Sequence, residues 1–143
     1  MTSLPDVNVL LALAWSTHLH HAAAHDWFRA NASAGWATCV LTQSGFLRLS
    51  LNPQVVGMTL TATDAIKLLN GLVQHPQHQF VESLPTLTSP AFSHLSTRLQ
   101  GYRQTSDFVL LHVAQHHGLR LVTFDKPLAN ATSNAALVEL LVT

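Results

Sequence analysis

The sequence predicts an α/β protein with a three-layer α/β/α arrangement, in which helices cover both faces of a central parallel sheet of about four to five strands. Three observations predict this fold class. Short apolar, β-prone runs alternate with longer segments of helical periodicity along the chain. Helix-length connections between strands favour parallel pairing with helices on both faces. A length of 143 residues suits one core, so we expect residues 1–143 to form a single domain.

The first half of the chain is predicted to hold two strands and four helices. The helix over Val7–Trp15 is apolar on nearly all sides and is therefore expected to be buried. The following helix carries an apolar face at helical spacing, formed by Ala23, Trp27, Ala30 and Ala34. In order, we predict a strand near 2–5, helices over 7–15 and 20–34, a strand over 36–41, a helix capped by Thr42 and running through 51, and a helix over 61–73.

The second half is predicted to hold the remaining strands and two helices. The helix that leads into the fourth strand begins at a cap formed by Thr105 or Ser106 and ends before Gly118. In order, we predict a strand over 78–82, helices over 91–100 and 107–117, a strand over 119–124, and a fifth strand or terminal helical turn over 137–142.

The composition limits the classes of function. Charged residues make up 10% of the chain and hydrophobic residues 48%, so much of the surface is neutral and a homodimer or another bound partner would cover part of it. The net charge is zero, and a nucleic acid would therefore need a local basic patch. No apolar run is long enough for a bilayer, and the N-terminus does not read as a signal peptide. The single cysteine, Cys39, excludes an internal disulfide and favours the cytoplasm.

Three of the seven acids stand where strands end or helices begin. Asp6 follows the first strand, Asp125 follows the fourth, and Asp107 lies at the start of the helix between them. In parallel α/β sheets the site lies beyond the carboxyl ends of the strands, so we expect these carboxylates to converge. Their mutual repulsion calls for a hard divalent cation, Mg²⁺ or Mn²⁺. Such a cation binds a phosphodiester and activates water for attack on phosphorus.

Three segments in this order resemble the PIN-domain ribonucleases, in particular the VapC-type toxins of bacterial toxin–antitoxin pairs. The segments are Pro5-Asp6-Val7-Asn8-Val9-Leu10, then Leu41-Thr42-Gln43-Ser44-Gly45-Phe46-Leu47-Arg48-Leu49, then Thr105-Ser106-Asp107-Phe108 ahead of Gly118-Leu119-Arg120-Leu121-Val122-Thr123-Phe124-Asp125. The resemblance covers nearly the whole chain.

The resemblance implies a compact PIN-like α/β/α fold, metal-dependent endonuclease activity on RNA, and control by a small antitoxin protein. It implies that Asp6 and Asp107 are the principal metal ligands and that Asp125 supports the metal or its waters. Asn8 and Thr123 would be polar helpers beside them. A metal-bound water would be the nucleophile.

One position departs from the family pattern. Many members carry a glutamate after the second strand, where this chain has Gln43. An amide oxygen can complete the shell of a cation, but it adds no charge and is a poor general base. Glu82, at the end of the third strand, could replace the missing charge. Arg48, on the helix after the second strand, could reach a phosphate or the antitoxin, although its simplest role is that of a surface arginine.

Other interpretations stay open at this point. Each acid could simply stabilise a helix N-terminus or a turn. The domain could be a catalytically weak RNA- or protein-binding module, or a phosphotransferase with Asp6 as phosphoryl acceptor. The histidine pairs His21/His25 and His112/His116 have metal-binding spacing but no evident third ligand, so we predict surface histidines.

Overall fold

The computed structural model describes residues 1–142 and contains one parallel sheet of five strands in the order β3-β2-β1-β4-β5. Thr143, the last residue of the predicted domain, lies outside the described residues. All four pairings are parallel, which confirms the predicted sheet. The strands are β1 (Ser3–Pro5), β2 (Trp36–Cys39), β3 (His78–Val81), β4 (Arg120–Thr123) and β5 (Val138–Leu140).

Eight α-helices connect and flank these strands within residues 1–142. Two of them, α4 and α8, are four-residue helices that the sequence analysis did not predict. No helix in this part of the chain has the length and apolar character that crossing a membrane requires. The helices are α1 (Val7–Ala14), α2 (His21–Asn31), α3 (Val40–Ser50), α4 (Pro53–Val56), α5 (Ala62–Val73), α6 (Pro90–Ser96), α7 (Thr105–His117) and α8 (Lys126–Ala129).

Apolar side chains leave the sheet on both faces, which confirms the three-layer arrangement. On one face Leu4 and Leu121 pack against Leu111 of α7. On the other face Val122 packs with α1 and α2, and Trp36 packs with Phe46 of α3. Consecutive residues of β4 thus point to opposite layers, as the two-residue period of a strand requires. The central strands of the sheet are buried because helices cover both of their faces.

The strand order places two acids at the carboxyl ends of two adjacent strands. From β1 the chain moves outward to β2 and β3, and it then returns to place β4 and β5 on the other side of β1. The gap between β1 and β4 is therefore the topological switch point, where the connections leave in opposite directions and form a crevice. Asp6 directly follows β1, and Asp125 lies two residues beyond β4. Both side chains thus begin at the same end of adjacent strands.

Two predicted helix starts are wrong. Helix α3 begins at Val40, and its cap is Cys39 rather than Thr42. Thr42 occupies the third helical position, where its hydroxyl accepts a hydrogen bond from the Cys39 backbone N–H at 3.1 Å, as the reciprocal half of a capping box does. Helix α7 begins at Thr105 after a tight 3₁₀ turn, and its cap is Gln104. Thr105 and Ser106 therefore lie within the first turn of α7 and do not cap it.

The predicted inner face of α2 is partly wrong. Trp27 is buried as expected, but Ala24 is its buried neighbour, while Ala30 and Ala34 are exposed. The buried side turns by one residue because α2 packs on α1, where Ala24 and Trp27 contact Val9 and Leu13. The helix predicted over 91–100 ends at Ser96, so it is shorter than its pattern indicated.

Candidate active site

Asp6 is the most deeply buried acid in the crevice. It caps the N-terminus of α1, where the Val9 backbone N–H donates to its Oδ1 at 3.0 Å. The Thr123 hydroxyl donates to its Oδ2 at 2.5 Å. Only 5% of the residue is exposed. The carboxylate is thus fixed by one helix start and one neighbouring strand, and each of its oxygens retains acceptor capacity.

Burial works against the charge of Asp6. Desolvation raises the pKa of this carboxyl from its ordinary value of 3.8 to about 6. The hydrogen bonds from Thr123 and Val9 oppose the rise, while the negative charges of Asp107 and Asp125 add to it. A cation would remove the penalty that the ionised form carries here, because it supplies the opposite charge that Thr123 and Val9 do not.

Thr123 links two of the acids. While its hydroxyl donates to Asp6, its oxygen accepts a hydrogen bond from the Asp125 backbone N–H at 3.0 Å. Asp125 in turn caps α8 by accepting from the Leu128 N–H at 3.3 Å. Thr123 is fully buried. It therefore sets the spacing between the acid that follows β1 and the acid that follows β4.

Asp107 completes the group from the third position of α7. Its side chain is half-buried, and its pKa is raised by desolvation and then by the charge of Asp125. The three carboxylates thus act on one another electrostatically, as the strand-end argument anticipated. Glu82 is exposed and does not contribute to the raised pKa of Asp6.

The donor set suits a hard divalent cation, since it consists of carboxylate oxygens. Within residues 1–142, however, no three Asp, Glu, His or Cys side chains are close enough to hold one ion directly. This arrangement is compatible with Mg²⁺, which keeps several of its waters and is usually held through one or two carboxylates. The residues present therefore fit such an ion in chemistry and charge, with water completing its coordination.

Gln43 is directed toward the sheet. Its amide Nε2 donates to Thr38 Oγ1 on β2 at 3.0 Å, and that hydroxyl also forms a 2.8 Å hydrogen bond with His78 Nε2 on β3. Burial, and secondarily His75, lowers the pKa of His78, which favours its neutral form. This Gln43–Thr38–His78 chain of hydrogen bonds was not predicted, because it depends on side chains 40 residues apart that meet only when β2 and β3 pair.

The two other predicted supporting residues, Asn8 and Arg48, are both exposed. Asn8 lies in the first turn of α1 and is exposed. Arg48 lies on α3 and borders a cavity between α1, α3 and α7. Neither is buried with the acids in the way that Thr123 is.

Gly45 has a packing role that was not predicted from the sequence. A Cβ on this helical residue would lie 2.5 Å from Val7 Cγ2, closer than side-chain atoms approach one another. Because Val7 directly follows Asp6, the missing side chain lets α3 pack against the start of α1 beside the acid. A glycine inside a helical pattern is the signal that could have indicated this close approach.

The histidines have structural roles, and one prediction about them is wrong. His21 Nδ1 and His25 Nε2 contact the Ala12 and Leu13 carbonyls, at 2.7 and 3.2 Å, at the C-terminal end of α1. His112 is buried rather than on the surface, and its Nε2 contacts the Thr86 carbonyl at 3.0 Å. It is buried because α7 packs against the loop that holds Thr86 and against α6, whose Phe92 ring lies beside the His112 ring.

Comparison with known proteins places the chain in a family. The PIN domain family model matches residues 3–134, so this chain belongs to the PIN-domain family. Among its relatives in Mycobacterium tuberculosis strain H37Rv, Ribonuclease VapC38 is 44% identical over 86% of this chain and 84% of its own length. Ribonuclease VapC39 is 40% identical over 99% of this chain and all of its own length (100%). The resemblance to VapC-type ribonucleases is thereby confirmed.

Two further comparisons agree with this result, one in sequence and one in fold. Ribonuclease VapC44 of the same strain is 35% identical over 90% of this chain and 89% of its own length. The crystal structure of PAE2754 from Pyrobaculum aerophilum superposes with a TM-score of 0.61, covering 96% of this chain and 83% of that one. Its sequence is 22% identical, and the likeness therefore concerns the fold alone.

Proposed function

We propose that this protein is a metal-dependent endoribonuclease that hydrolyses RNA phosphodiesters and acts as the toxin of a type II toxin–antitoxin pair. The observation that carries the proposal is the group of three mutually repelling carboxylates at the switch point of the sheet, with the pKa of Asp6 raised to about 6. Family membership and the ribonuclease names of the M. tuberculosis relatives support the reaction class.

In this proposal Asp6 and Asp107 hold Mg²⁺ or Mn²⁺, and Asp125 supports the ion or its waters. When bound, the cation would neutralise the carboxylates, bind the phosphodiester and activate water for attack on phosphorus. Thr123 keeps Asp6 and Asp125 in position through its two hydrogen bonds. Gln43 contributes no charge, and its free amide oxygen can accept a hydrogen bond or complete the shell. Asn8 is a polar helper at the rim of the site.

The partners we propose are an RNA substrate, a small cognate antitoxin protein and a second copy of the chain, all in the cytoplasm. The low charge of the chain and its exposed apolar side chains on α3 to α5 support protein partners. These exposed side chains include Val40, Leu41, Val55, Met58 and Ile66.

The direct test is cleavage of a single-stranded RNA by purified protein with Mg²⁺ or Mn²⁺. We expect cleavage that EDTA abolishes and that Asp6→Asn reduces by at least about 100-fold, because the charge that holds the cation is removed. Asp64→Asn is the matched control, since Asp64 is an exposed acid in the first turn of α5. Cleavage by the Asp6→Asn protein at the wild-type rate, or in EDTA, would refute the proposed mechanism.

A second candidate function is a catalytically weak RNA- or protein-binding module. The engagement of the Gln43 amide with Thr38 favours it, because the position after β2 brings no fourth negative charge to the cation. Gln43→Glu separates the two candidates. If the natural site is fully active, the variant gains less than about threefold in cleavage rate and cation affinity. A gain of tenfold or more in both would identify the natural site as impaired.

A further inference from the structure

A cavity of about 190 Å³ lies between α1, α3 and the start of α7. Its volume is several times the roughly 30 Å³ that one water molecule takes up in the liquid. Its lining includes the apolar side chains of Val7, Leu41 and Val109. Polar side chains of α3 and α7 also line it, and no carboxylate does. Its lining is therefore mixed, with room for a charged group and an attached apolar one.

The polar groups of the cavity are suited to an anion. Arg48 is exposed, and the ion pair present within residues 1–142 joins Arg29 to Asp26, so Arg48 has no carboxylate partner there. Ser44, Thr105 and Ser106 add three exposed hydroxyl groups. A guanidinium with hydroxyl donors around it is the kind of group that binds phosphate oxygens.

The position of the cavity connects it to the acids. Two lining residues are sequence neighbours of the acids: Val7 directly follows Asp6, and Ser106 directly precedes Asp107. The cavity therefore adjoins the backbone that carries two of the three acids. The acids repel a phosphate unless a cation is present, whereas the cavity brings an unpaired positive charge next to them. A polyanion that crosses the site would meet both in succession.

We propose that this cavity binds a backbone phosphate of single-stranded RNA that neighbours the phosphate to be cleaved. Arg48 forms the ionic contact, Ser44, Thr105 and Ser106 donate hydrogen bonds, and Val7, Leu41 and Val109 contact the adjoining ribose. The inference rests on the proposed ribonuclease function and names the residues that hold its substrate. It accounts for RNA binding by a chain whose net charge is zero, because one local contact replaces a global basic field.

The test measures RNA binding in EDTA, where cleavage does not interfere, by fluorescence anisotropy with a short labelled single-stranded RNA at several salt concentrations. Arg48→Gln is expected to weaken binding about tenfold at low salt and to lower the slope of log affinity against log salt by about 0.7, the value for one lost phosphate contact. Arg48→Lys should retain most of the slope. Arg98→Gln, the same change at an exposed arginine outside the cavity, should behave as wild type.

The outcomes separate this inference from the proposed function. Equal salt slopes for wild type, Arg48→Gln and Arg98→Gln would overturn it and leave the cavity to a protein partner. If Arg48→Gln changes the mass of the protein in sedimentation but leaves the salt slope of RNA binding unchanged, the inference is also overturned. The cavity is then assigned to a contact between copies of this chain. If wild type cleaves RNA and Arg48→Gln binds RNA normally, this inference fails alone. If the slope depends on Arg48 but wild type never cleaves, the proposed function fails and the phosphate site stands.

Discussion

Asp6 combines two properties that disfavour an ionised carboxylate, burial and the nearness of two other acids, with hydrogen bonds that hold it in place. The hydrogen bonds from Val9 and Thr123 favour its charged form but do not outweigh desolvation. In the absence of a cation the folded protein therefore holds the Asp6 proton up to a higher pH than the unfolded chain does, and ionising Asp6 above its raised pKa of about 6 costs folding free energy. This makes the residue a source of instability at neutral pH and a reason for cation binding to stabilise the fold.

The pKa of Asp6 predicts how stability depends on pH. Because the folded-state pKa of about 6 lies above the ordinary value of 3.8, its contribution is most favourable below pH 3.8 and is lost as pH rises to about 6. The loss is about 3 kcal/mol. In EDTA, we expect the stability of wild type to fall relative to Asp6→Asn between pH 4 and pH 7, measured by urea unfolding. Parallel pH profiles for the two proteins would contradict the raised pKa.

The sequence was sufficient to find the acids but not their surroundings. Asp6 and Asp125 could be predicted to converge because strand ends share one edge of a parallel sheet. The contact of Gln43 with Thr38 could not, because two side chains five residues apart meet only once the exact start of α3 is known. That start was misplaced at Thr42. The shell around the acids therefore depends on packing that the spacing of residues does not encode.

At the scale of elements, the contact between α1 and α3 determines how closely α3 approaches the acids. Gly45 permits that contact by leaving space for Val7. The sequence also contains local signals for the two short helices that were not predicted. Helix α4 follows an Asn cap and α8 an Asp cap, and each carries proline within its first two positions. Such short helices have no apolar period, so the cap and the proline together are the pattern that predicts them.

Gly45→Ala tests this packing. Alanine favours the helix by about 1 kcal/mol over glycine, yet its Cβ would overlap Val7 Cγ2, and overpacking costs about 1–3 kcal/mol. We expect the variant to lose about tenfold or more in metal-dependent RNA cleavage as α3 moves away from α1. Val7→Ala in the same protein removes the overlapping atoms and should restore most of the activity and the melting temperature. Purely additive effects of the two substitutions would contradict a shared contact.

At the scale of the whole molecule, the surface is unusually poor in charge. Charged residues make up 10% of the chain, and several large apolar side chains are exposed on α3 to α5. The three-layer fold itself was predictable, because alternating strand and helix patterns leave few arrangements. The identity of a partner for these apolar side chains was not predictable, because a single sequence does not specify the surface of another protein.

Asp6 and Asp107 together hold one divalent cation in the proposed site, and this is the claim on which the function rests. Titration with Mn²⁺ at pH 7.5, followed by the electron paramagnetic resonance signal of the free ion, tests it most directly. We predict saturable binding by wild type and by the Asp64→Asn control, weakened at least about tenfold in Asp6→Asn and in Asp107→Asn. Equal Mn²⁺ affinity in all four proteins would show that these carboxylates do not hold the cation, and the account would be wrong.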